Sequence, residues 1–311
     1  MKTTTPRVLV IGSACVEIGL GVSRLPAKGE TVGGATLSMA CGGRGVNQAV
    51  AARRLGAEVR FVGSAGTDRH GDQIADLLQA ERIPTEGLFH AEDVPTGIVV
   101  TMVDPEGVKQ AAGSSGANMR LDPASVRRHE SLMSWAKVLL CQLEIPIPTV
   151  QWVIATGREH GALTILDPAP AQQLPDALLS MVDCLTPNAL EAEALTGITV
   201  DGPATASVAA QHLLARGVTT VVITLGEQGS LFFDGKIALH FPAFPVRAMD
   251  RAGAGDAFNG GLAAGLAADG TWEQVLPLAN AAAALTCTKQ GGYASLPVRT
   301  EVEAFLRSLK R

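Results

Sequence analysis

The chain has 311 residues, of which 47% are apolar, and it carries a formal net charge of −5 at pH 7. This acidic balance argues against nucleic acid or an anionic membrane as the main partner. No apolar run approaches the roughly 18 residues that a transmembrane helix needs, and no signal peptide is evident. The five cysteines contain no CxxC pair, which is typical of reduced thiols, so we expect a cytoplasmic protein.

Short apolar runs alternate with longer helical patterns along the chain. The runs at 8–11, 59–62, 138–140, 163–166 and 221–225 predict buried strands. Helical spacing is found at 47–55, 71–79, 148–158, 206–215, 255–268 and 272–287. This alternation predicts an α/β fold, with a doubly wound, mostly parallel sheet flanked by helices. Ligands should then bind at the carboxyl ends of the strands.

Two regions interrupt this alternation. Residues 20–40 contain short β-like pieces among glycine and proline, and residues 97–103 with a turn at 104–107 predict a hairpin. Together they predict a small antiparallel β lid, formed by roughly 15–40 and 96–115. A lid that closes over a ligand excludes water from the reaction.

The segment from Asp250 to Gly260 reads Asp-Arg-Ala-Gly-Ala-Gly-Asp-Ala-Phe-Asn-Gly and leads into a helical pattern. Unpaired N–H groups and the helix dipole attract an anion at such a helix start. A carboxylate there, Asp256, could serve as a base while the N–H groups hold a phosphoryl group. The plainer alternative is a glycine turn with Asp256 as a cap. A dinucleotide motif fits poorly, because bulky Phe258 occupies the place of its third glycine.

Three further segments are candidate ligand sites. The glycine-rich turn at 41–48 opens another helix, and the loop at 224–229 follows a predicted strand. Asn188 and Glu191 are three residues apart, which suits either water-mediated Mg²⁺ binding or an N-terminal capping box. The histidines show no metal-ligand spacing, so zinc has little support.

With these segments in order, the chain resembles the ribokinase family, the PfkB group of carbohydrate kinases, along essentially its whole length. The two family signatures are similar to Gly-Gly-Arg-Gly-Val-Asn-Gln-Ala at 42–49 and to the segment at 250–260. Shorter similar blocks lie at 29–31, 95–97, 116–118, 142–144, 168–171, 186–188 and 224–226.

The resemblance implies one kinase domain, 1–311, that transfers the γ-phosphoryl group of ATP to a sugar hydroxyl, in particular the 5-hydroxyl of ribose or a related pentose. It implies Asp256 as base and an anion hole of Gly253, Ala254 and Gly255. The implied sugar-binding positions are Ser13, Cys15, Glu17, Gly42, Gly43, Asn47, Glu144 and Asp256. The implied ATP positions are Asn188, Thr224, Leu225, Gly226, Gln228, Gly229, Gly255 and Asn280.

The family resemblance also implies two metal ions. Glu191 would hold Mg²⁺ through water. A K⁺ site would be built mainly from carbonyl oxygens at Asp250, Ala252, Thr286, Lys289, Gly291 and Ser295. The resemblance makes a homodimer through the lid possible.

Several residues depart from the family pattern. Cys15-Val16-Glu17 replaces Asn-Ala-Asp, Arg44 replaces a lysine, Arg251 replaces a threonine, and Asp167 replaces an asparagine. None of them alters Asp256 or its glycines, so the predicted reaction is unchanged. Because a site built for hydroxyls discriminates strongly, these changes predict a preferred acceptor other than ribose: another pentose, a deoxy sugar or a related polyol.

Three alternatives compete with a sugar kinase. A nucleoside kinase would favour aromatic stacking groups, and the chain has only 4% aromatic residues. A non-catalytic sugar-binding regulator would not need Asp256, Asn188 and Glu191. A nicotinamide dehydrogenase would need an acceptable GxGxxG motif.

Overall fold

A computed structural model describes residues 5–309 and places a nine-stranded sheet at the centre of the molecule. Its strands are β1 (Arg7–Ile11), β4 (Glu58–Gly66), β5 (Leu88–Ala91), β8 (Val138–Gln142), β9 (Leu163–Asp167), β10 (Cys184–Leu185), β11 (Thr220–Thr224), β12 (Ser230–Phe233) and β13 (Ala238–Phe241). The order across the sheet is β13-β12-β11-β10-β9-β8-β1-β4-β5. All neighbours from β11 to β5 are parallel, and β12 and β13 extend the sheet in antiparallel fashion.

Helices cover both faces of this sheet. They are α1 (Arg44–Arg54), α2 (Arg69–Ala80), α3 (Pro123–Arg127), α4 (Ser131–Trp135), α5 (Ile147–Glu159), α6 (Asp176–Leu179), α7 (Ala189–Thr196), α8 (Pro203–Ala215), α9 (Ala254–Ala267), α10 (Trp272–Cys287) and α11 (Arg299–Ser308). One apolar cluster joins α1, α2, α9, α10 and α11 to the sheet, and the other joins α3 to α8. The predicted doubly wound α/β fold is confirmed.

The continuous apolar strands follow from this double coverage. In β1, Val8 and Val10 belong to one apolar cluster, whereas Leu9 and Ile11 belong to the other. Successive side chains of a strand point to opposite faces, so a strand covered on both faces must be apolar throughout.

A second, four-stranded sheet contains β2 (Cys15–Gly21), β3 (Thr36–Gly42), β6 (Gly97–Val103) and β7 (Lys109–Ser114), in the order β3-β2-β6-β7. The predicted small antiparallel sheet is confirmed in its two outer pairs, while its central pair, β2 and β6, is parallel. Three residues separate β1 from β2, and a single residue, Gly43, separates β3 from α1. The junction of the two sheets therefore contains Ser13, Cys15, Gly42 and Gly43.

Helices α1 and α9 cross closely on one face of the main sheet. A Cβ atom at Gly260 would lie 2.5 Å from the Cβ of Ala51 and 2.8 Å from the carbonyl oxygen of Gln48. A larger residue at 260 would therefore force the helices apart. This approach brings the first turns of α1 and α9 together. Within residues 5–309, none of the helices has the length and apolarity that a membrane crossing requires.

Candidate active site

Asp256 lies in the first turn of α9 and is 6% exposed. Gly253 caps the start of this helix, and its φ of 78° is in the left-handed region that glycine adopts most easily. This turn directs the Asp256 carboxylate toward α1. Asn47 Nδ2 donates to Asp256 Oδ2 at 3.0 Å, and Gln48 Nε2 donates to Oδ1 at 3.1 Å. Two amides therefore fix the orientation of the carboxylate.

The environment of Asp256 suits a general base. Burial is the largest influence and raises the pKa of its carboxyl to about 6, while the nearby Arg44 charge and the two amide hydrogen bonds limit that rise. The group is thus ionised near neutral pH and is a stronger proton acceptor than an exposed aspartate.

We expect activity to depend on pH through this group. As pH falls below about 6, Asp256 takes up a proton and can no longer accept one from a substrate, so kcat/KM should fall about tenfold per pH unit. Steady-state kinetics from about pH 5 to about pH 8, with saturating nucleotide, would measure this profile. A profile that stays flat across pH 6 would contradict the role of Asp256.

Free backbone N–H groups lie at the start of α9. In the described part of the chain, the N–H groups of Gly253 and Gly255 have no acceptor, whereas that of Ala254 donates to the Arg251 carbonyl at 3.3 Å. A Cβ atom at Gly255 would meet no heavy atom within 4 Å, so there is open space beside this residue. Two of the three predicted anion-hole donors are therefore available, and the third is held in a long hydrogen bond.

Glu17 and Asn47 bring further polar groups to the site from the small sheet and α1. Glu17 Oε1 accepts from the Gly43 N–H at 3.2 Å and from Asn47 Nδ2 at 3.3 Å. Asn47 is 2% exposed, and its Oδ1 has no hydrogen-bond partner among the described residues. A Cβ atom at Gly42 would lie 2.7 Å from Glu17 Oε1 and 3.1 Å from Asn47 Oδ1. A buried acceptor without a donor is costly, and a bound hydroxyl would satisfy it.

Ser13 and Glu144 complete this pocket at the ends of β1 and β8. Ser13 Oγ donates to Glu144 Oε2, which also accepts the Arg44 backbone N–H at 3.4 Å. The Arg44 side chain pairs with the other oxygen of Glu144 at 3.4 Å. Glu144 therefore has defined partners, which distinguishes it from a solvated loop glutamate.

Cys15 lies among the carboxylates of this pocket. It is 5% exposed, and a Cβ atom at Gly43 would lie 3.2 Å from its Sγ. Burial raises the pKa of the Cys15 thiol, so it stays neutral. The nearby negative charges that add to this rise include those of Glu17, Glu144 and Asp256. A neutral thiol forms only weak hydrogen bonds, so this position offers little to a hydroxyl.

Sequence reasoning assigned no role to a second layer of polar side chains. Gln48 Nε2 donates to Asp167 Oδ2 at 2.7 Å, Gln142 Nε2 donates to Gln48 Oε1 at 2.6 Å, and Arg44 lies 3.7 Å from Asp167. Burial raises the pKa of the Asp167 carboxyl, and the Arg44 charge opposes that rise. Gln48 therefore links the base to the carboxyl ends of β8 and β9. A polar pair, Asn47-Gln48, within the otherwise apolar stretch 45–52 of α1 was the available signal.

Asn188 and Glu191 form the capping box that sequence reasoning left open as an alternative. Asn188 Oδ1 accepts from the Glu191 N–H at 2.9 Å, and Glu191 Oε2 accepts from the Asn188 N–H at 2.8 Å. Burial raises the pKa of the Glu191 carboxyl, so a nearby cation would relieve its cost. Both residues thus have structural partners, and Mg²⁺ binding stays a prediction. Within residues 5–309, no group of three or more His, Cys, Asp or Glu side chains could hold a metal ion.

The loop after β11 lies beside Asn188, because Asn188 and Thr224 form a parallel bridge. Leu225 donates its N–H to the Gly229 carbonyl at 2.7 Å, which closes a tight turn around exposed Gly226. Gln228 is used to fix the loop, since its Nε2 donates to the Asp201 carbonyl at 2.9 Å.

An apolar cavity of about 420 Å³ lies next to Asn280. Its walls come from the chain after β13 and from α10 and α11: Phe241, Pro242, Ala243, Phe244, Pro277, Asn280, Leu306 and Leu309. Asn280 Nδ2 donates to Ser230 Oγ at 3.1 Å and to the Phe241 carbonyl at 3.3 Å. This cavity combines apolar walls with a polar group, as small-molecule sites do.

The predicted K⁺ positions lie in the loop before α9 and in the segment that runs from the last turn of α10 to the 3₁₀ turn at Gly292–Ser295. Asp250 Oδ1 accepts from the Ala252 N–H at 2.9 Å, and Oδ2 accepts from the Gly291 N–H at 3.4 Å. The hydroxyls of Thr286 and Ser295 donate to backbone carbonyls, and the Lys289 side chain pairs with Glu301. Any cation ligands from these three residues would therefore come mainly from the backbone.

The chain matches the family model of pfkB family carbohydrate kinases over residues 5–299. It is 36% identical to a ribokinase of Haemophilus influenzae over 297 residues, and this matched region covers 96% of this chain and 97% of that protein. It is 32% identical over 300 residues to a deoxyribokinase of Salmonella typhi, with 96% and 98% covered. The structure of an Arabidopsis thaliana ribokinase complexed with ribose and ATP matches it with a TM-score of 0.91 at 31% identity, covering 98% of this chain and 99% of that one. The chain therefore belongs to the pfkB family of carbohydrate kinases and is a kinase.

Proposed function

We propose that this kinase transfers the γ-phosphoryl group of ATP to the 5-hydroxyl of ribose or a closely related pentose. The observation that carries the proposal is the position of the Asp256 carboxylate beside unpaired N–H groups at the start of α9. The similarity to ribokinases, one of them complexed with ribose and ATP, supports the choice of both substrates.

The reaction follows from the charges at the site. The sugar hydroxyl oxygen attacks the γ-phosphorus, its proton passes to the Asp256 carboxylate, and the bond to the β-phosphate oxygen breaks to release ADP. Negative charge grows on the transferring group, and the N–H groups of Gly253 and Gly255 can donate to it. Because phosphoryl transfer depends mainly on positioning and charge stabilisation, these donors should contribute more than the base.

Several residues on the sugar side of the site would each bind a different part of the sugar. The unpaired Oδ1 of Asn47 would accept from a sugar hydroxyl, and Glu17 and Glu144 offer carboxylate oxygens near Cys15. Asn47 also donates to Asp256. A sugar bound to Asn47 would therefore be held against the base.

ATP would lie in a cleft between the loop at 224–229 and the start of α9, across Asp256 from the sugar pocket. The loop at 224–229 and Asn280 would bind the adenosine, with the apolar cavity beside Asn280 receiving the base. Mg²⁺, when bound, neutralises phosphate charge, and Glu191 would hold it through water, since a cation relieves the cost of its buried carboxyl. A K⁺ ion would sit between the loops that Asp250 joins.

The small sheet would act as the lid of a single kinase domain. It carries Cys15, Glu17 and Gly42 on β2 and β3, so its movement would open and close the sugar pocket. On β3, Leu37 is 65% exposed and Met39 is 52% exposed. A homodimer would form if this face of β3 packed against the same face of a second copy. We place the protein in the cytoplasm because of its unpaired cysteines.

A 2-deoxypentose is the second candidate acceptor, and Cys15 favours it. Where a hydroxyl-binding site offers an amide, this chain offers a buried neutral thiol. A sugar hydroxyl that finds no hydrogen-bond partner in the site weakens binding, whereas the hydrogen atom that replaces it in a deoxy sugar needs no partner. Similarity to deoxyribokinases agrees with this candidate.

A panel of free sugars and nucleosides, assayed for ATP consumption and for the phosphorylated product, would test the proposal. We expect a pentose phosphorylated at its 5-hydroxyl and no comparable turnover with nucleosides. The variant Cys15→Asn should shift the ratio of kcat/KM for ribose over 2-deoxyribose toward ribose by roughly 10-fold or more. Cys287→Asn, at a half-buried thiol outside the pocket, is the matched control. No sugar-dependent ATP consumption would contradict the function, and an unchanged ratio would remove Cys15 from specificity.

A further inference from the structure

An exposed ion pair joins the two loops that border the proposed nucleotide cleft. The Arg251 guanidinium contacts the Glu227 carboxylate, and the two side chains are 71% and 81% exposed. Glu227 lies in the short 3₁₀ turn at Gly226–Gln228, and Arg251 lies two residues before Gly253, where α9 is capped. The pair therefore spans from the loop after β11 to the start of the anion hole.

The backbone of Arg251 is hydrogen-bonded to the anion-hole turn. Its carbonyl accepts the Ala254 N–H at 3.3 Å, and the neighbouring Asp250 carboxylate accepts the Ala252 N–H at 2.9 Å. The residue is thus anchored in the turn, and only its long side chain is free to change direction.

Few cationic side chains near the start of α9 are available to bind a polyphosphate. Asp250, Asp256 and Glu191 place three carboxylates near the start of α9 and the end of β10. Arg44 is already paired with Glu144 and Asp167, at 3.4 and 3.7 Å. Arg251 has an exposed partner on a separate loop, and exposed pairs are weak and easily exchanged.

We propose that Arg251 binds the phosphate groups of the nucleotide, and that Glu227 holds its guanidinium at the rim of the cleft until the nucleotide enters. This inference rests on the proposed function, since it places the nucleotide between these two loops. An arginine forms a planar pair of hydrogen bonds with phosphate oxygens, which carry more negative charge than one carboxylate. The polyphosphate therefore displaces Glu227 from the guanidinium.

The two residues should change nucleotide affinity in opposite directions. Arg251→Thr should weaken binding of ATP by roughly 5- to 30-fold, the effect of losing a pair of charge-assisted hydrogen bonds to phosphate, with the change mainly in KM for ATP. Glu227→Gln should strengthen binding by up to about fivefold, because the guanidinium is no longer held away. In the double variant the gain from Glu227→Gln should disappear, because Glu227 acts through Arg251.

Calorimetric titration with AMP-PNP and Mg²⁺, without sugar, and steady-state kinetics with ATP would measure these effects. Arg299→Thr is the matched control, because Arg299 forms an exposed pair with Glu303 on α11. KM for the sugar should not follow the change in KM for ATP. Wild-type affinity for AMP-PNP should also fall more steeply with salt than that of Arg251→Thr.

Two results would overturn the inference. Unchanged AMP-PNP affinity in Arg251→Thr would show that the guanidinium does not bind phosphate. Equal weakening by Arg251→Thr and Glu227→Gln would show that the ion pair only supports the loops. If either result is obtained while the wild-type protein phosphorylates a sugar, the inference fails and the proposed function stands. Conversely, Arg251-dependent AMP-PNP binding without any sugar turnover would contradict the function and support the inference.

Discussion

The substitution Asp256→Asn is expected to lower kcat by roughly 10²–10⁴, the usual contribution of general base catalysis. Asp256 combines a buried carboxylate, a pKa of about 6 and two orienting amides from α1. An asparagine fits the same space but cannot accept a proton from the substrate. Rapid-quench measurement of phosphorylated sugar would separate this loss from slow product release.

The fold of this variant can be checked independently. Asparagine removes the cost of burying a charge, although its NH₂ group must then face one of the amide donors, Asn47 or Gln48. We therefore expect a small change in Tm and retained AMP-PNP binding. Asp234→Asn is the matched control, because this turn aspartate accepts two backbone N–H groups that asparagine can also accept. Full turnover by Asp256→Asn would rule out Asp256 as the base.

The substitution Gly255→Val is expected to lower kcat/KM by roughly 10²–10³, comparable to the loss of one donor in an anion hole. The Cα–Cβ bonds of a helix tilt toward its N-terminus, so a side chain at 255 leans toward the free N–H groups. A Cβ atom there meets no heavy atom within 4 Å. The valine Cβ therefore has room, and its two methyl groups should occupy the space that the phosphoryl group needs.

Gly33→Val is the control for this substitution, because Gly33 also faces open space and lies in a loop of the small sheet. Both variants should keep their Tm, and only Gly255→Val should lose activity and AMP-PNP binding. A Gly255→Val protein with wild-type kinetics would place the phosphates elsewhere.

The strands and helices with long apolar patterns were predictable from sequence. β1 and β8 were predicted because both faces of the sheet are covered, which requires an unbroken apolar run. β12 and β13 were missed, since each has only four residues, and β13, at the sheet edge, is partly exposed. The parallel pairing of β2 with β6 was also missed, because strand direction depends on the distant chain between them.

The site was predictable where a local motif carries the chemistry. The glycines before Asp256 indicate a helix start with free N–H groups, and the structure has that turn at Gly253. Gln48 and Asp167 were given no role, because their contact joins residues 119 positions apart. The capping box at Asn188 and Glu191 has the spacing of a metal pair, so sequence alone could not separate the two interpretations.

A crystal structure with ribose, ADP, Mg²⁺ and aluminium fluoride tests the central claim most directly. Aluminium fluoride occupies the place of the transferring phosphoryl group. The fluoride ligands should accept hydrogen bonds from the N–H groups of Gly253 and Gly255, with the sugar 5-hydroxyl against the Asp256 carboxylate. A sugar whose 5-hydroxyl faces away from Asp256, or aluminium fluoride bound apart from the start of α9, would contradict the mechanism.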